Sequence, residues 1–404
     1  MKILMVNKFL FPAGGAQTYI FKLSDYLVSQ GHEVQYFGMY NKNNCVGNTV
    51  GAYTEEIDFH NAKFIDKIRY SFKIIYNREA RKKIRLVLDD FQPDVVHLNN
   101  IYYHLTPSII LEIVKWREEN NRRCKVVFTM HDYNLICPNH MMRNPNSNEN
   151  CDKCLGGHFE NCLKGKCIHG SRLRSALGTI EAFYWNNRKV YQNVDTFICC
   201  SAFMKKKMDS NSLFRGKTVA LLNFTDTVEA MSVKKKDYVL YFGRYSEEKG
   251  LRTLIEVCKE LPNINFIFAG AGPLESLLKE SENIKNVGFQ SGKELETLIR
   301  EARFSVYPSE WYENCPFSII ESLMYGTPVL AADIGGIPEL VIDGLNGELF
   351  ESGNKSALKT HVLKLWQDKK KTEMYSSNCV KTNINDVEQY YNKLMAFYRF
   401  STVG

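Results

Sequence analysis

The chain has 404 residues, of which 44% are hydrophobic and 24% are charged, and its formal net charge is +7. This length predicts about two to three domains, each large enough to bury its own core. No early stretch joins a basic start to a long apolar run, and none approaches ~20 consecutive apolar residues, so we expect a cytoplasmic folded body without a secretory leader or membrane span.

The positive charge is concentrated in the first half of the chain. Residues 1–222 contain 31 Lys and Arg and 20 Asp and Glu, which gives a formal net charge of +11. The remaining 182 residues contain 21 Lys and Arg and 25 Asp and Glu, which gives a formal net charge of −4. The basic residues form no DNA- or RNA-binding motif, so nucleic acid is not an expected partner. An anionic acceptor and the anionic inner face of a membrane both fit this charge.

The first elements predict a phosphate-cradling unit. An apolar run at Met1–Asn7 indicates a buried strand, and Gly14 and Gly15 precede an apolar-periodic helix over Ala16–Gln30. A strand, a glycine turn and a helix in this order form such a unit in Rossmann-like domains, although the G-x-G-x-x-G fingerprint is absent. A nicotinamide cofactor is therefore not expected, and a tight turn without a ligand is the alternative interpretation of the glycines.

Two later strands of this half end in polar side chains. One predicted strand ends in Asn99 and Asn100, and the strand Lys125–Met130 is followed by His131 and Asp132. The carboxyl ends of parallel strands face the ligand crevice of an open sheet, so we expect Asn99, Asn100 and Asp132 to contact an acceptor. The imidazole of His131 can donate to a hydroxyl and titrates near neutral pH, which favours a functional role at a strand end.

Residues 63–88 mix aromatic and aliphatic side chains with Lys and Arg. Basic heads beside a partly apolar face are typical of peripheral membrane helices. The surface helices of ordinary soluble proteins have the same pattern. Peripheral contact with an anionic membrane is thus one of two interpretations of this segment.

A polar insertion at about 137–170 is rich in cysteine. Without an expected signal peptide, disulfides are not the first interpretation. Cys151 and Cys154 have the spacing of a structural Zn²⁺ knuckle, and Cys137 with Cys167 completes the predicted ligand set, with Cys162 as the alternative ligand. A metal would stabilise a segment that has little to form a core. Free thiols in a flap over the acceptor are the other interpretation.

The second half opens a new predicted fold. A strand at Tyr238–Phe242 runs into a glycine-flanked loop that contains Arg244 and Lys249. The planar fork of arginine and the mobile point charge of lysine suit a diphosphate, although an ordinary exposed turn has the same residues. A later strand ends in the run G-A-G-P, where we expect Gly270 and Gly272 to border the same ligand.

The strongest signal lies in the stretch Trp311–Gly326. Glu313 and Asn314 lie in a predicted loop, Pro316 takes a first-turn position in the helix that follows, and Gly326 marks its end. A surface helix with two solvated glutamates is the alternative interpretation.

The start of this helix predicts a donor site. Free N–H groups and the positive dipole end attract phosphate, so we expect Cys315, Pro316 and Phe317 to border a donor phosphate. Neither Glu313 nor Glu321, about one turn inside the helix, is placed to hold phosphate. Both carboxylates can instead bind the neutral, hydroxyl-rich ends of a sugar nucleotide.

The run E-N-C-P-F-S-I-I-E-S-L-M-Y-G-T-P-V, followed by Gly335 and Gly336, resembles the signature of the retaining glycosyltransferases of family 4. The resemblance covers nearly the whole chain except the cysteine-rich insertion, and related bacterial sequences carry a similar insertion after H-D-Y. It implies an α/β fold of the GT-B type, with two Rossmann-like parallel-sheet domains facing a cleft. The implied parts are an acceptor domain at 1–222, a nucleotide-sugar domain at 223–385 and a helix at 386–404 that returns to the first domain.

The resemblance also implies a reaction. A nucleotide sugar of the UDP or GDP type would give its sugar to a hydroxyl of a glycan or lipid-linked acceptor, with retention of configuration, in cell-surface polysaccharide synthesis. Arg244 and Lys249 take the place of a divalent metal in this family, so no catalytic metal is expected. Glu321 would bind the ribose, and Glu313 and Asn314 would lie near the sugar.

Further positions match motifs of the family. Gly288 and Phe289 lie in a segment that resembles the one contacting the nucleobase, and Gly14 and Gly15 match a loop that lines the cleft. His131 matches the histidine that lies beside the reacting carbon of the sugar.

Two other functions remain open at this point. A GT-B epimerase of UDP-sugars would act on its donor without an acceptor, but the acid and base carboxylates that it needs are not identifiable. A non-catalytic sensor of sugar nucleotides or glycans would lack the complete set Arg244, Lys249, Glu313 and Glu321. The nucleobase, sugar, acceptor and oligomeric state are not predicted.

Overall fold

The computed structural model describes residues 1–56, 73–226, 233–280, 282–379, 382 and 384–400. The chain divides into two units, Met1–Leu221 with Val387–Gly404 and Leu222–Asp386. Each unit is built around a sheet of six parallel strands. The prediction of two Rossmann-like parallel-sheet domains is therefore confirmed.

The strands of the first unit are β1 Lys2–Val6, β2 Glu33–Phe37, β3 Val95–Leu98, β4 Lys125–Met130, β5 Thr196–Cys199 and β6 Thr218–Ala220. They lie in the order β2-β1-β3-β4-β5-β6. All four residues of β3 are buried, as are four of the five in β1. Such short, continuous apolar runs are usual for strands inside a parallel sheet.

The helices of this unit are Gly15–Ser29, Arg78–Phe91, Ser108–Glu119, Glu160–Lys164, Arg172–Asn187, Ala202–Met208 and Val387–Tyr398. The first of them starts one residue before its predicted beginning. In the described ranges, no helix has the length and apolar composition needed to cross a membrane.

The basic stretch predicted at 63–88 is described only from residue 73 onward. Within that part, Arg81 and Arg85 of the helix Arg78–Phe91 form ion pairs with Glu112 of a neighbouring helix. Asn77 caps the helix by accepting from the backbone of its first turn. These two arginine heads are therefore engaged inside the unit, and the first part of the predicted membrane segment lies outside the described residues.

The helix Val387–Tyr398 packs on the first unit through buried aromatic side chains. The hydroxyl groups of Tyr390 and Tyr19 lie 2.8 Å apart, and the Tyr398 hydroxyl lies 2.6 Å from Nδ1 of His97. Burial lowers the pKa of His97 to about 3, so its ring is neutral. Each polar group in this contact is paired, as burial requires.

The strands of the second unit are β7 Phe224–Thr225, β8 Val239–Arg244, β9 Phe266–Ala271, β10 Ile284–Gly288, β11 Phe304–Tyr307, β12 Val329–Ala332, β13 Gly347–Phe350 and β14 Asn385–Asp386. The main sheet has the order β10-β9-β8-β11-β12-β13, and β7 pairs separately with β14. The helices are Leu251–Glu260, Gly292–Glu301, Phe317–Met324, Lys355–Gln367 and Lys369–Cys379.

A buried carboxylate joins β13 to the last two of these helices. Glu348 is 2% exposed and accepts from Nδ1 of His361 at 2.6 Å and from the ammonium of Lys371. Lys364 lies 3.3 Å from the same carboxylate, and Tyr375 donates to it. Burial alone would raise the pKa of Glu348, but its hydrogen bonds from Lys371 and His361 outweigh burial and lower it.

We expect Glu348→Gln to lower the free energy of unfolding by about 1–3 kcal/mol at pH 7, because the amide cannot replace a charged acceptor. A lowered carboxyl pKa stabilises the fold above the unfolded value of about 4.3 and loses that contribution below it. The difference from wild type should therefore shrink as the pH falls below 4.3. Urea denaturation at several pH values measures this, and the exposed Glu373→Gln is the matched control. An equal loss at every pH would contradict the electrostatic explanation.

Candidate active site

A carboxylate and an ammonium meet at the carboxyl end of the second sheet. The Nζ of Lys249 lies 2.6 Å from Oε1 of Glu313, and the Ser309 hydroxyl donates to the same oxygen at 2.7 Å. Glu313 is 5% exposed, so these partners compensate its charge in place of water. The ring of Trp311 lies 5.3 Å from the same ammonium.

Backbone contacts hold the loops that carry this pair. Gly250 has a φ of 67°, and a Cβ at this position would lie 1.8 Å from the carbonyl oxygen of Pro308. Gly335 has a φ of 62°, and its Cβ would lie 2.3 Å from the carbonyl oxygen of Glu313, to which Gly336 donates its N–H at 2.7 Å. Only glycine fits at positions 250 and 335, because any side chain there would meet a backbone carbonyl. These two glycines allow the loops after β8, β11 and β12 to lie directly against each other.

The helix Phe317–Met324 follows the Glu313 loop. Pro316 is the residue before its first turn, not a residue within it. The helix ends two residues before Gly326, whose φ is 71°. Asn223 donates to the carbonyl oxygen of Cys315 at 2.9 Å and thereby fixes the approach to the helix.

The charges of the two predicted carboxylates, Glu313 and Glu321, affect the same buried tyrosine. Tyr307 is the last residue of β11, and burial raises the pKa of its phenol well above the usual value. The charges of Glu321 and Glu313 raise that pKa further. Glu321 is partly exposed, whereas Glu313 is buried. The charges of Glu313 and Glu321 therefore both act on Tyr307.

The remaining residues predicted to bind the sugar donor lie at the same carboxyl-terminal edge of the second sheet. Arg244 is the exposed last residue of β8, and none of the described carboxylates forms an ion pair with it. A Cβ at Gly270 would lie 1.9 Å from the carbonyl oxygen of Gly243, so this glycine allows the two strand ends to touch. Gly272 packs in the same way on the backbone of the Arg244 loop.

The edge strand β10 ends in an exposed aromatic ring. Gly288 is its last residue, and the following Phe289 is 76% exposed. Asn286 accepts from the N–H of Gly288 at 2.9 Å and from the hydroxyl of Tyr245 at 3.1 Å, so this strand end is fixed. An exposed ring on a fixed strand end is suited to stacking on a flat ligand.

Three residues of this region were not predicted as site residues from the sequence: Tyr307, Ser309 and Trp311. They lie in the run Y-P-S-E-W, which begins with the last residue of the buried strand β11. Polar and aromatic side chains after a buried parallel strand are the signal that identifies them.

In the first unit, His131 lies directly after β4 and beside Asn99. Its Nε2 lies 2.8 Å from Oδ1 of Asn99, while Nδ2 of Asn99 faces the carbonyl oxygens of Val6 and His97. Those carbonyls fix the orientation of the amide, so His131 carries its proton on Nε2. Burial lowers the pKa of His131 to about 4 despite the nearby Asp132, and the ring is neutral near pH 7.

The other predicted residues of the first unit lie at the same edge. Asn100 donates its N–H to Asn7 at 3.1 Å, and Asp132 accepts the N–H of Asn134 at 3.0 Å. Gly15 is the first residue of its helix. A Cβ at Gly14 would meet nothing closer than a side-chain oxygen 3.8 Å away, so packing within the unit does not require this glycine.

The cysteine-rich insertion contains closely spaced thiols. Cys154 and Cys162 are buried in one small cluster, against which Cys167 packs, and the thiols of Cys162 and Cys167 are hydrogen-bonded. All twelve cysteines of the chain are free. In the part of the chain that the structure describes, no group of three or more Cys, His, Asp and Glu could hold a metal ion.

The predicted Zn²⁺ ligands Cys137, Cys151, Cys154 and Cys167 are therefore not assembled into a metal site. Cys137 donates its thiol proton to Asn139 at 2.9 Å. Burial raises the pKa of the Cys137 thiol to about 12.

Two family models match the chain. The one described as Glycosyltransferase Family 4 matches residues 13–229, and the one described as Glycosyl transferases group 1 matches residues 225–382. Together they cover both units.

Several curated relatives are similar in sequence. An uncharacterized 42.6 kDa protein in the cps region of Klebsiella pneumoniae is 22% identical over 361 residues, which are 84% of this chain and 87% of that protein. An uncharacterized glycosyltransferase of Methanocaldococcus jannaschii is 29% identical over 52% of this chain and 62% of its own length. The amylovoran biosynthesis glycosyltransferase AmsK of Erwinia amylovora is 30% identical over 32% of this chain and 36% of its own length. The chain thus spans less than two thirds of the last two relatives.

Solved structures share the fold. Sucrose-phosphate synthase from Thermosynechococcus elongatus superimposes with a TM-score of 0.70 at 15% identity, over 98% of both chains. Anabaena HepE in complex with UDP and glucose has a TM-score of 0.64 at 16% identity, again over 98% of both chains. Such low identities bear on the fold alone. The family models show that this chain belongs to glycosyltransferase family 4, and the solved structures show that it has the GT-B fold.

Proposed function

We propose that this glycosyltransferase moves a sugar, with retention of configuration, from a UDP- or GDP-linked donor to a hydroxyl of a glycan or lipid-linked acceptor. The observation that carries the proposal is the ion pair of the partly exposed Lys249 with the buried Glu313 at the carboxyl end of the second sheet. The exposed Arg244 lies at the end of the strand before Lys249. Two cations and a carboxylate in one loop system suit a ligand that has both a diphosphate and hydroxyl groups.

The cations of this site and its carboxylates have different proposed roles in binding the donor. Arg244 and Lys249 neutralise the diphosphate, so the proposal needs no catalytic divalent metal. Glu313 and Asn314 accept and donate hydrogen bonds at the sugar, and Glu321 binds the ribose hydroxyls. A diphosphate oxygen would offer Lys249 a second anionic partner while Ser309 continues to donate to Glu313.

The nucleotide end of the donor would follow the edge of the same sheet. Phe289 would stack on the nucleobase beside Gly288, because its ring is exposed and the strand end is fixed. Cys315, Pro316 and Phe317 would border the phosphates at the start of the helix Phe317–Met324.

The acceptor would bind the first unit near Asn99, Asn100 and Asp132, with the Gly14–Gly15 loop beside it. In the reaction, the bond between the anomeric carbon and the phosphate oxygen breaks, and the acceptor oxygen bonds to that carbon on the same face. The departing phosphate oxygen takes the acceptor proton. His131 would lie beside the reacting sugar, and its neutral ring with a fixed Nε2 proton can contact a hydroxyl without adding a charge.

The biological setting of the proposal is the synthesis of cell-surface polysaccharide at the cytoplasmic side of a membrane. Two of the relatives are named for a cps region and for amylovoran biosynthesis. The basic first half of the chain suits an anionic acceptor or membrane surface. A structural Zn²⁺ in the cysteine insertion is a separate proposal, which metal analysis of the purified protein tests, and it would require Cys137 to give up its bond to Asn139.

The donor is tested by thermal unfolding with UDP-, GDP-, ADP- and CMP-sugars, with and without EDTA. A ligand at about 100 times its Kd stabilises the folded chain by about 2.7 kcal/mol, so we expect Tm to rise by several degrees with one nucleotide family only. EDTA should leave the shift unchanged. Glu321→Ala should lose the shift, whereas Glu373→Ala, an exposed residue of the same unit, should keep it. A chain that responds to none of these donors would contradict the proposal.

A further inference from the structure

Five side chains outside the proposed donor site form a partly exposed group in the first unit: Lys8, Phe9, Tyr102, Asp132 and His140. We call them the Lys8 cluster. They come from the segments after β1, β3 and β4, which end at the same edge of the sheet. Of these five, only Asp132 was predicted as a site residue from the sequence.

The ammonium of Lys8 lies on an aromatic surface. Its Nζ is 3.8 Å from the centre of the Tyr102 ring and 5.2 Å from that of Phe9. Among the described residues, no carboxylate forms an ion pair with it within 4.0 Å. Burial lowers the pKa of Lys8 to about 8, and the more distant charge of Asp132 only partly opposes this effect. The cation has therefore lost much of its water without gaining an anionic partner.

The neighbours of Lys8 have their own hydrogen bonds. Asp132 accepts from the hydroxyl of Tyr102 and from the N–H of Asn134, so its charge is already engaged. His140 stacks on Tyr102 with ring centres 5.6 Å apart. Burial lowers the pKa of His140, and it lowers that of the adjacent His104 to about 4, so neither ring competes with Lys8 as the cation.

The backbone also holds the cluster in place. The N–H of Lys8 donates to the carbonyl oxygen of Asn100 at 2.9 Å, and the side-chain oxygen of Asn7 accepts the N–H of Asn100 at 3.1 Å. The β1 and β3 segments are thus joined directly beside Lys8. An ammonium that lies on an aromatic ring and extends from a fixed backbone is a partly preorganised site for an anion.

We propose that the Lys8 cluster binds an acidic group of the acceptor, a phosphate or a carboxylate, with Tyr102 as the surface for the adjoining sugar ring. This inference rests on the proposed function, because it names the class of acceptor for the same reaction. An anion near Lys8 would replace the solvation that the ammonium lost and form charge-assisted hydrogen bonds. A neutral sugar cannot supply this interaction.

The test is acetylation of the full chain by an N-hydroxysuccinimide ester, with each modified lysine measured by mass spectrometry. Three compounds share one sugar ring and differ in charge: glucose, glucuronate and glucose 6-phosphate, all at equal ionic strength. Bound ligand should slow acetylation of Lys8 about fivefold at a concentration of about four times its Kd, and the exposed Lys42 should react at an unchanged rate.

The compounds separate the sources of the anion. Protection by glucuronate alone would identify a carboxylate acceptor, protection by glucose 6-phosphate alone would identify a phosphate-bearing one, and protection by both would identify a general anion site. Protection no greater than that by glucose would overturn the inference. Acetylation of Lys249 with UDP or GDP present is measured in the same samples, so failure of the donor proposal is seen independently.

Two variants distinguish binding from loop stability. Lys8→Met keeps the apolar stem on Tyr102 and removes the charge, so we expect nucleotide-induced stabilisation to persist. The same variant should bind glucuronate and glucose 6-phosphate no better than glucose, by calorimetry with nucleotide saturating the donor site. Lys8→Arg should retain most of the preference for the anions. A Lys8→Met chain that keeps the full anion preference would also overturn the inference.

Discussion

Lys249→Met should reduce sugar transfer by about 10²–10³-fold, mainly through kcat, once the nucleotide panel has identified the donor. The reason is electrostatic, because the lysine is proposed to neutralise charge that develops on the departing diphosphate. Methionine has nearly the same length and an apolar stem, so the change removes the charge with little change in volume. Steady-state kinetics should show a smaller effect on KM than on kcat.

The same variant also removes the partner of a buried carboxylate. Among the described residues, Glu313 would keep only the Ser309 hydroxyl as a side-chain partner, so we expect a loss of about 1–3 kcal/mol in the free energy of unfolding. Stability and catalysis would then fall together, and the single variant cannot separate them.

The double variant Lys249→Met with Glu313→Gln separates the two effects. Removing both charges should recover much of the lost stability, because no buried charge remains unpaired. Transfer should stay at the level of the lysine variant or lower. If the double variant regained transfer along with stability, the pair would serve only to join the two loops. Lys285→Met, at an exposed position of β10, is the matched control and should alter neither property.

The sheets and helix ends were predictable because they depend on local sequence. The strands of both sheets are short, apolar runs, and the end of the helix Phe317–Met324 follows from a glycine two residues later. The family motif also located Glu313 and Glu321, whose charges both raise the pKa of Tyr307. What such patterns supply is the order of elements and the residues near strand ends.

The contacts between distant residues were not predictable in this way. Lys249 and Glu313 are 64 positions apart, and their pairing depends on the glycines that allow three loops to touch. Lys8 lies on Tyr102 because β1 and β3 are neighbours in the sheet, a fact of topology. The zinc prediction relied on spacing alone, and spacing does not reveal the hydrogen bond that the Cys137 thiol donates to Asn139.

A second large effect is expected at Glu181, in the middle of the helix Arg172–Asn187. The residue is 4% exposed, and its Oε1 accepts no hydrogen bond from any described residue. Burial raises its pKa to about 8. Its charge affects Tyr103 and Tyr191, whose pKa values are themselves raised by burial, and no described cation forms an ion pair with it.

Glu181→Gln should therefore stabilise the protein by about 4 kcal/mol at pH 7. A carboxyl group with a raised pKa stays protonated in the folded chain, while the unfolded chain releases the proton above about 4.3. The folded chain thus loses about 1.4 kcal/mol of stability for each pH unit between about 4.3 and 8, and glutamine avoids this loss. The gain should vanish near pH 4 and reach its maximum near pH 8. Urea denaturation across this range measures it, and the exposed Glu118→Gln should change nothing.

A gain that is independent of pH would mean that glutamine packs better than the acid and that the burial of a titratable group is not the cause. A gain that follows pH would mean that the chain keeps a destabilising carboxyl beside Tyr103. Tyr103 donates to the carbonyl oxygen of Pro138, in the segment that joins β4 to the cysteine insertion. Selection for stability alone would favour glutamine at this position. Transfer by the stabilised variant would then show whether the proton of Glu181 matters for activity.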